Sequence, residues 1–269
     1  MNYSVIAQQV VHVCRKVGAF IKEESGRIKQ TDIEEKGLHD LVSYVDRTAE
    51  QMLMEALKKM VPDAGFIAEE SGTVESVKYR WIIDPLDGTT NFIHKIPLFS
   101  ISIALQEDGK TVIGVVYEIN QDECFYAWKD GNAFLNGNPI HVSSTNSLSD
   151  SLIATGFPYY DFSRLKPYLS FFEYLLKNTR GIRRLGSAAV DLAYVACGRF
   201  EAFYEYGLHP WDVAAGAFIV VQAGGQLSGF DGSDDVVFGK DILATNTLVH
   251  KEISGRINEI FKPEVSADV

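Results

Sequence analysis

Cysteine is scarce in this chain. Its three examples, Cys14, Cys124 and Cys197, are odd in number, far apart and set mostly among apolar residues. That argues against a disulfide framework and against a zinc site, and reduced thiols within a core are the expectation. Positive charge is also in short supply: 25 lysines and arginines face 36 aspartates and glutamates, a net charge of −11 with histidine neutral. Such a balance disfavours broad contact with nucleic acid or anionic membrane and points to small or cationic partners. Long hydrophobic runs are missing too. The longest, near Val213 to Val221, is too short to span a bilayer, and the first residues, MNYSVIAQQVVHVCRKVG, hold neither a basic leader nor a continuous apolar stretch. A cytoplasmic protein is the expectation. No linker, internal repeat or low-complexity segment interrupts the 269 residues. That length suits one domain with a substantial core, made of two intimate subdomains at approximately 1–145 and 146–269.

What is present is a succession of helical and strand patterns. Ile6, Val10, Val13, Val17, Phe20 and Ile21 recur every three or four residues and predict an amphipathic helix over about 3–24. A polar stretch from Gly26 to Leu41, which contains Lys36, reads as an exposed loop or short hairpin. A second helix over about 44–60 carries Asp46 in its first turn, where an acid serves the helix dipole with no other role required. Phe66-Ile67-Ala68 then delivers the acid pair Glu69-Glu70 to the end of a short strand. Strands over 99–106, 111–119 and 123–128 form an antiparallel meander, and Asn136-Gly137 marks a hairpin. Further on come a strand at 151–155, a helix at 165–177, a short strand at 181–185 and a helix at 187–197 with Ser187 as its N-cap. A strand at 200–206 precedes the most apolar helix, opened by Pro210-Trp211-Asp212. Strands at 226–228 and 241–244 lead to a last helix from Leu248 to Phe261 and a tail, PEVSADV, expected to fray.

One stretch organises the rest: WIIDPLDGTTNF, residues 81–92. It begins as a buried strand that should stop at Asp84-Pro85, because proline donates nothing to a ladder. Beyond lie a second acid, a glycine, two hydroxyls and an amide, suited to a sharp turn into a helix N-terminus. Asp84 and Asp87 can face one hard cation there, while Gly88, Thr89 and Thr90 offer amides to a phosphate. A lone DxxDG also fits an ordinary Asx-rich turn. The other acids at strand ends and helix starts, Asp46, Glu69-Glu70 and Asp212, shift that balance. Together they suit a carboxylate cluster gripping hard cations beside a phosphate, with oxygen donors matching magnesium better than zinc.

DPLDGTTNF at 84–92 and WDVAAGAFIVVQAGG at 211–225 resemble the two signature motifs of the inositol monophosphatase family, as do FIAEES at 66–71 and LGSAAVDLAYVACGRFEAFYE at 185–205. The resemblance implies an α+β fold, a layered αβαβα sandwich of the sugar-phosphatase type with the site at the junction of two sheets. It implies a magnesium-dependent, lithium-sensitive phosphatase acting on inositol monophosphate or a similar small polyol phosphate, with two to three ions per active site. Glu69, Asp84 and the Leu86 carbonyl would hold the first ion, and Asp84, Asp87 and Asp212 the second; a weaker third would lie near Glu69, with Glu70 orienting water. Thr89, bonded to Asp46, would aim the attacking water, and the Gly88 and Thr89 amides would cradle the phosphate. Asp87, Asp212, Gly186, Ser187, Ala188 and Glu205 would meet the alcohol portion, and Lys36 would serve a loop that closes on it. Arg183 and Arg184 could meet a second phosphate, solvent or a dimer partner. The family is commonly dimeric. Relatives act on fructose 1,6-bisphosphate, NADP or 3′-phosphoadenosine 5′-phosphate, and some bacterial relatives bind the transcription or RNA-processing machinery, so those readings stay open. Two departures, Ala68 where many relatives have glycine and His209-Pro210 before the second motif, remove no ligand.

Overall fold

The computed structural model describes residues 1–28, 33–37, 40–76 and 78–261. The tail PEVSADV and the side chain of Lys36 lie outside the described residues. In chain order the elements are α1 (Tyr3–Ser25), β1 (Ile33–Gly37), β2 (Asp40–Ser43), α2 (Tyr44–Met60), β3 (Gly65–Ala68), β4 (Gly72–Val74), β5 (Tyr79–Asp87) and α3 (Thr89–Ile93). Then come β6 (Ser100–Glu107), β7 (Lys110–Glu118), β8 (Glu123–Trp128), β9 (Ala133–Leu135), β10 (Asn138–Ile140), β11 (Leu152–Thr155) and α4 (Leu165–Asn178). The chain continues through β12 (Gly181–Arg183), α5 (Ala188–Ala196), β13 (Ala202–Tyr206), α6 (Pro210–Gln222), β14 (Gln226–Ser228), β15 (Asp241–Thr245) and α7 (His250–Phe261).

An eight-stranded sheet runs in the order β10-β9-β8-β7-β6-β5-β3-β4, and a five-stranded sheet in the order β12-β11-β13-β15-β14. Each sheet has both faces covered, so its strands carry apolar residues on both sides. On the outer face of the large sheet, Val10, Cys14 and Val17 of α1 and Ala49, Leu53 and Leu57 of α2 pack against Trp81, Ile83 and Val115. Its inner face, with Ile82, Val116 and Phe125, packs on α5 and α6, which also meet Phe203 and Ala244 of the small sheet. The far side of the small sheet is closed by Phe171 and Leu175 of α4 and Ile253 and Ile257 of α7. The result is the αβαβα sandwich. Because α5 is buried at every residue from Ala188 to Ala196, it has no polar stripe, as a helix clamped between two sheets requires.

One element differs from its sequence reading. β5 does not stop at Asp84-Pro85 but pairs on to Asp87: Asp84 stands opposite Ser102 and Asp87 opposite Ser100. Three residues of β5 thus span two of β6, a bulge that accommodates the proline's missing N–H. In a regular strand, residues three apart point to opposite faces. The extra residue cancels that alternation and turns both acids the same way.

Candidate active site

Four helix starts and two strand ends meet at the junction between the sheets. β3 runs parallel to β5 with Ala68 beside Ile83, and the ladder extends by one bond from the Glu69 amide to the Ile83 carbonyl at 3.3 Å. That register sets Glu69 next to Asp84, close enough for its charge to add to burial in raising the Asp84 carboxyl. Asp84 is only 2 % exposed. One of its oxygens accepts the Leu86 amide at 2.9 Å, closing the bulge. Gly88 follows with φ 95° as the N-cap of α3, where a side chain would press on the Gly186 and Leu98 carbonyls.

Asp46 and Asp212 arrive by the same local device. Each is the third residue of its helix and closes a capping box: Asp46 Oδ2 accepts the Ser43 amide at 2.9 Å and Asp212 Oδ2 accepts the His209 amide at 2.6 Å. The other Asp46 oxygen, Oδ1, faces the Thr89 hydroxyl at 3.3 Å, while that hydroxyl lies 2.9 Å from the Leu86 carbonyl. Asp87 is tied to α5, its Oδ2 accepting the Ser187 hydroxyl at 2.6 Å and the Ala189 amide at 2.8 Å. The Ser187 hydroxyl is therefore already committed, and it also accepts the Val190 amide as N-cap of α5.

The acids pay for their burial in proton affinity. Burial first, then the charges of Glu69, Asp87 and Asp212, hold the Asp84 carboxyl well above the usual carboxylate range. Asp212 is raised well above it too, by burial and by Asp87. Asp87 is pushed up to about 6 by burial, against the hydrogen bonds from Ser187 and α5. Burial raises Asp46 while its Ser43 bonds oppose the shift, and burial lifts Glu205 to about 8.

The cleft above this floor is lined by Glu69, Asp87, Gly88, Thr89, Asp212 and His209. Gly186, Ser187, Ala188, Asp191, Glu205, Arg184, Tyr159 and Tyr160 line it as well. Of the residues expected from sequence, Asp46, Glu70, Asp84 and Leu86 stand outside that lining. Among the described residues no three His, Cys, Asp or Glu side chains are gathered closely enough to enclose an ion as they stand. The donor set nevertheless fits a hard divalent cation: every candidate ligand is oxygen, and the mutual repulsion that raises Asp84 is what a cation relieves.

Several contributors were not singled out by sequence reasoning. Glu50, 3 % exposed and one turn beyond Asp46 on α2, accepts the amides of Glu70 and Ser71, each at 2.8 Å, and so holds the turn that carries Glu69. An acid spaced four from Asp46 on the same helical face was the available signal. Asn91 ties α3 to the neighbouring loops through the Leu98 and Leu185 carbonyls, both at 2.8 Å. Asp191, the lone acid in an otherwise apolar stretch, lines the cleft from within α5. Arg183 points outward and is exposed, whereas Arg184 turns into the cleft.

Acids collected at strand and helix ends beside a glycine turn, in an αβαβα sandwich, define a phosphate-ester hydrolase of the layered sugar-phosphatase kind. The model described as the Inositol monophosphatase family matches residues 2–266, and the chain belongs to that family. The chain is 41 % identical over 261 residues to the Pseudomonas aeruginosa protein named Nus factor SuhB, covering 95 % of this chain and 96 % of that one. It is 40 % identical over 252 residues to the Thermotoga maritima fructose-1,6-bisphosphatase/inositol-1-monophosphatase, covering 94 % and 95 %. Among solved structures, that of the Bartonella henselae extragenic suppressor protein suhB superposes with a TM-score of 0.90 at 38 % identity, covering 95 % of this chain and 99 % of that one.

Proposed function

We propose that the protein is a magnesium-dependent phosphomonoesterase whose substrate is inositol monophosphate or a similarly small polyol phosphate. The observation that carries this reading is Asp84, an acid buried to 2 % exposure against Glu69 with Asp87 turned alongside it by the bulge. Burying several like charges together is costly unless a cation joins them. Glu69, Asp84 and the Leu86 carbonyl would hold one ion, and Asp84, Asp87 and Asp212 a second; a third, weaker ion would lie near Glu69, with Glu70 orienting water. Bound there, magnesium would neutralise the phosphate oxygens and the leaving alkoxide and make a nearby water more acidic.

The chain's own groups do the aiming. Thr89 has one proton and two acceptors in reach, the Leu86 carbonyl at 2.9 Å and Asp46 Oδ1 at 3.3 Å. Engaging the Leu86 carbonyl elsewhere leaves Asp46 to take that proton, so that Thr89 Oγ1 accepts a hydrogen bond from the attacking water and orients it. The Gly88 and Thr89 amides offer donors to the phosphate at the start of α3. No protein nucleophile is required. Asp87, Gly186, Ser187, Ala188, Glu205 and Asp212 supply the wall against which the alcohol portion rests, and Lys36 belongs to the segment that would close on it.

The test is a comparison of kcat/KM, with magnesium, for inositol 1-phosphate, fructose 1,6-bisphosphate, NADP and 3′-phosphoadenosine 5′-phosphate. The inositol ester should lead; a nucleotide ester turned over far better would replace the polyol reading. Millimolar lithium should inhibit, and indifference to it would count against the metal arrangement. The same reading extends to a cytoplasmic homodimer, measurable by sedimentation; among the described residues no helix is long and apolar enough to cross a membrane. The relative named Nus factor SuhB motivates a second reading, in which the protein acts by binding the transcription machinery. A cellular phenotype fully retained by Asp84→Asn would favour that second reading.

A further inference from the structure

Among the described residues, three that line the cleft have a buried polar side-chain atom without a hydrogen-bond partner: Arg184, Asp191 and, through its hydroxyl, Tyr206. Asp191 Oδ1 and Arg184 Nε are both buried and lack a hydrogen bond among the described residues. Asp191 is 1 % exposed, yet it lines the cleft, as Arg184 does. A buried acceptor left unpaired costs on the order of 1–3 kcal/mol, so a protein retains one where something else completes it.

Both groups are held in place. The Arg184 guanidinium lies 5.6 Å from the ring centres of Phe157 and of Tyr159, and its Nη2 donates to the Tyr159 hydroxyl. Asp191 projects from α5, the helix clamped between the sheets. Beside them Glu205 is pressed against Gly156, where a side chain would come within 2.0 Å of its carboxylate. Two acids therefore share this end of the cleft with one guanidinium, and Arg184 lies close enough to both to favour their charged forms.

We propose, resting on the phosphatase reading above, that Arg184 and Asp191 form a paired reader of the alcohol portion of the substrate. Arg184 Nε donates to one hydroxyl and Asp191 Oδ1 accepts from another, on an uncharged polyol. A hydroxyl suits this site because it both donates and accepts, and it can therefore complete the acid in either protonation state. A second phosphate does not suit it, because the anion would meet Asp191 and Glu205 as well as Arg184. The selectivity is thus for the monophosphate of a neutral polyol, with discrimination coming from polar groups that a hydroxyl-free ester leaves unpaired.

The experiment compares kcat/KM for myo-inositol 1-phosphate and cyclohexyl phosphate, the same ring without its hydroxyls, in the full-length protein with magnesium. Asp191→Ala should lower the value for the inositol ester about tenfold more than for cyclohexyl phosphate, a difference of about 1.4 kcal/mol. Asp191→Asn, which keeps an acceptor oxygen, should recover most of that gap. Arg184→Met should produce a similar gap from the donor side and decides the matter if the Asp191 variants fail to fold. Equal losses with both esters would show a structural role and overturn the proposal. Loss with neither ester would overturn it as well, as would a wild type that prefers fructose 1,6-bisphosphate and loses that preference in Arg184→Met. A wild type that turns over neither ester overturns the phosphatase reading and this inference with it, whereas turnover without the gap overturns this inference alone.

Discussion

The two groups of polar residues in and beneath the cleft are built on different principles. In the group of Asp84, Asp87, Asp46 and Asp212, every acid is also part of the scaffold: one closes a bulge, one holds the start of α5, and two close capping boxes. In the group of Arg184, Asp191 and Glu205, polar side chains are inserted among aromatic and apolar neighbours and two of their atoms are left open. The first group is over-determined by its own folding, so its geometry tolerates little variation. The second is held by packing and leaves binding capacity unspent, which is where a choice among substrates can be made without disturbing the reaction.

The largest expected effect is on the first group. Asp84→Asn should cut magnesium-dependent turnover by ~10³-fold or more, because it removes the acid shared by both proposed ions. In the absence of metal the same variant should melt no lower than wild type, since it replaces an acid whose charged form is opposed by burial and by Glu69, Asp87 and Asp212. A variant that kept its activity would dissolve the contrast between the two groups. Thr89→Ala should lower kcat by ~10²-fold with a smaller change in KM, because the hydroxyl acts on the nucleophile and not on substrate binding. A KM effect alone would move Thr89 to the binding side of the comparison.

Glu50→Gln should be milder. It replaces one of the two oxygens that hold the Glu70 and Ser71 amides. About a tenfold rise in the magnesium concentration needed for half-maximal activity is expected, with roughly 1–2 kcal/mol of stability lost. Glu50→Asp, too short to reach both amides, should be worse, and the two variants can be ranked by magnesium titration and by thermal melting.

The smallest effect is on stability against pH. The folded protein raises Glu205 from 4.5 to about 8 and Asp87 from 3.8 to about 6, so the native state binds protons that the unfolded chain has released. Their contribution is fully present below the unfolded values and is lost as pH rises through the folded ones. The metal-free protein should therefore melt at progressively lower temperature between about pH 4.5 and about pH 8, and added magnesium should offset the loss at the upper end. Melting curves across that range, with and without magnesium, check both signs.

Asp46 and Asp212 show how much of this could be read in advance. Both stand in the first turn of a predicted helix, where an acid serves the helix dipole; the structure adds that each closes a capping box, that Asp212 lines the cleft and that Asp46 faces the Thr89 hydroxyl from outside the lining. The helix boundaries, the meander and the N-cap at Ser187 were legible because they depend on residues near one another in sequence. The bulge at Pro85-Leu86 was not. Its origin is the pairing with Ser100 and Ser102 on β6, which no local preference reveals.

The amino-acid sequence by itself determined the order of helices and strands, the oxygen-only character of the site and the two motifs that mark the family, since all of these are properties of residue type and near spacing. Only the tertiary structure decided that Asp84 and Asp87 face the same way, that Glu50 supports the acid turn, and that Asp191 opens into the cleft from inside an apolar helix. Each depends on which strand or helix lies alongside, and in a sandwich of two sheets that neighbour is distant in sequence. Hydrogen bonding and burial are set by contact in space, so their consequences for the acids become visible once the layers have closed.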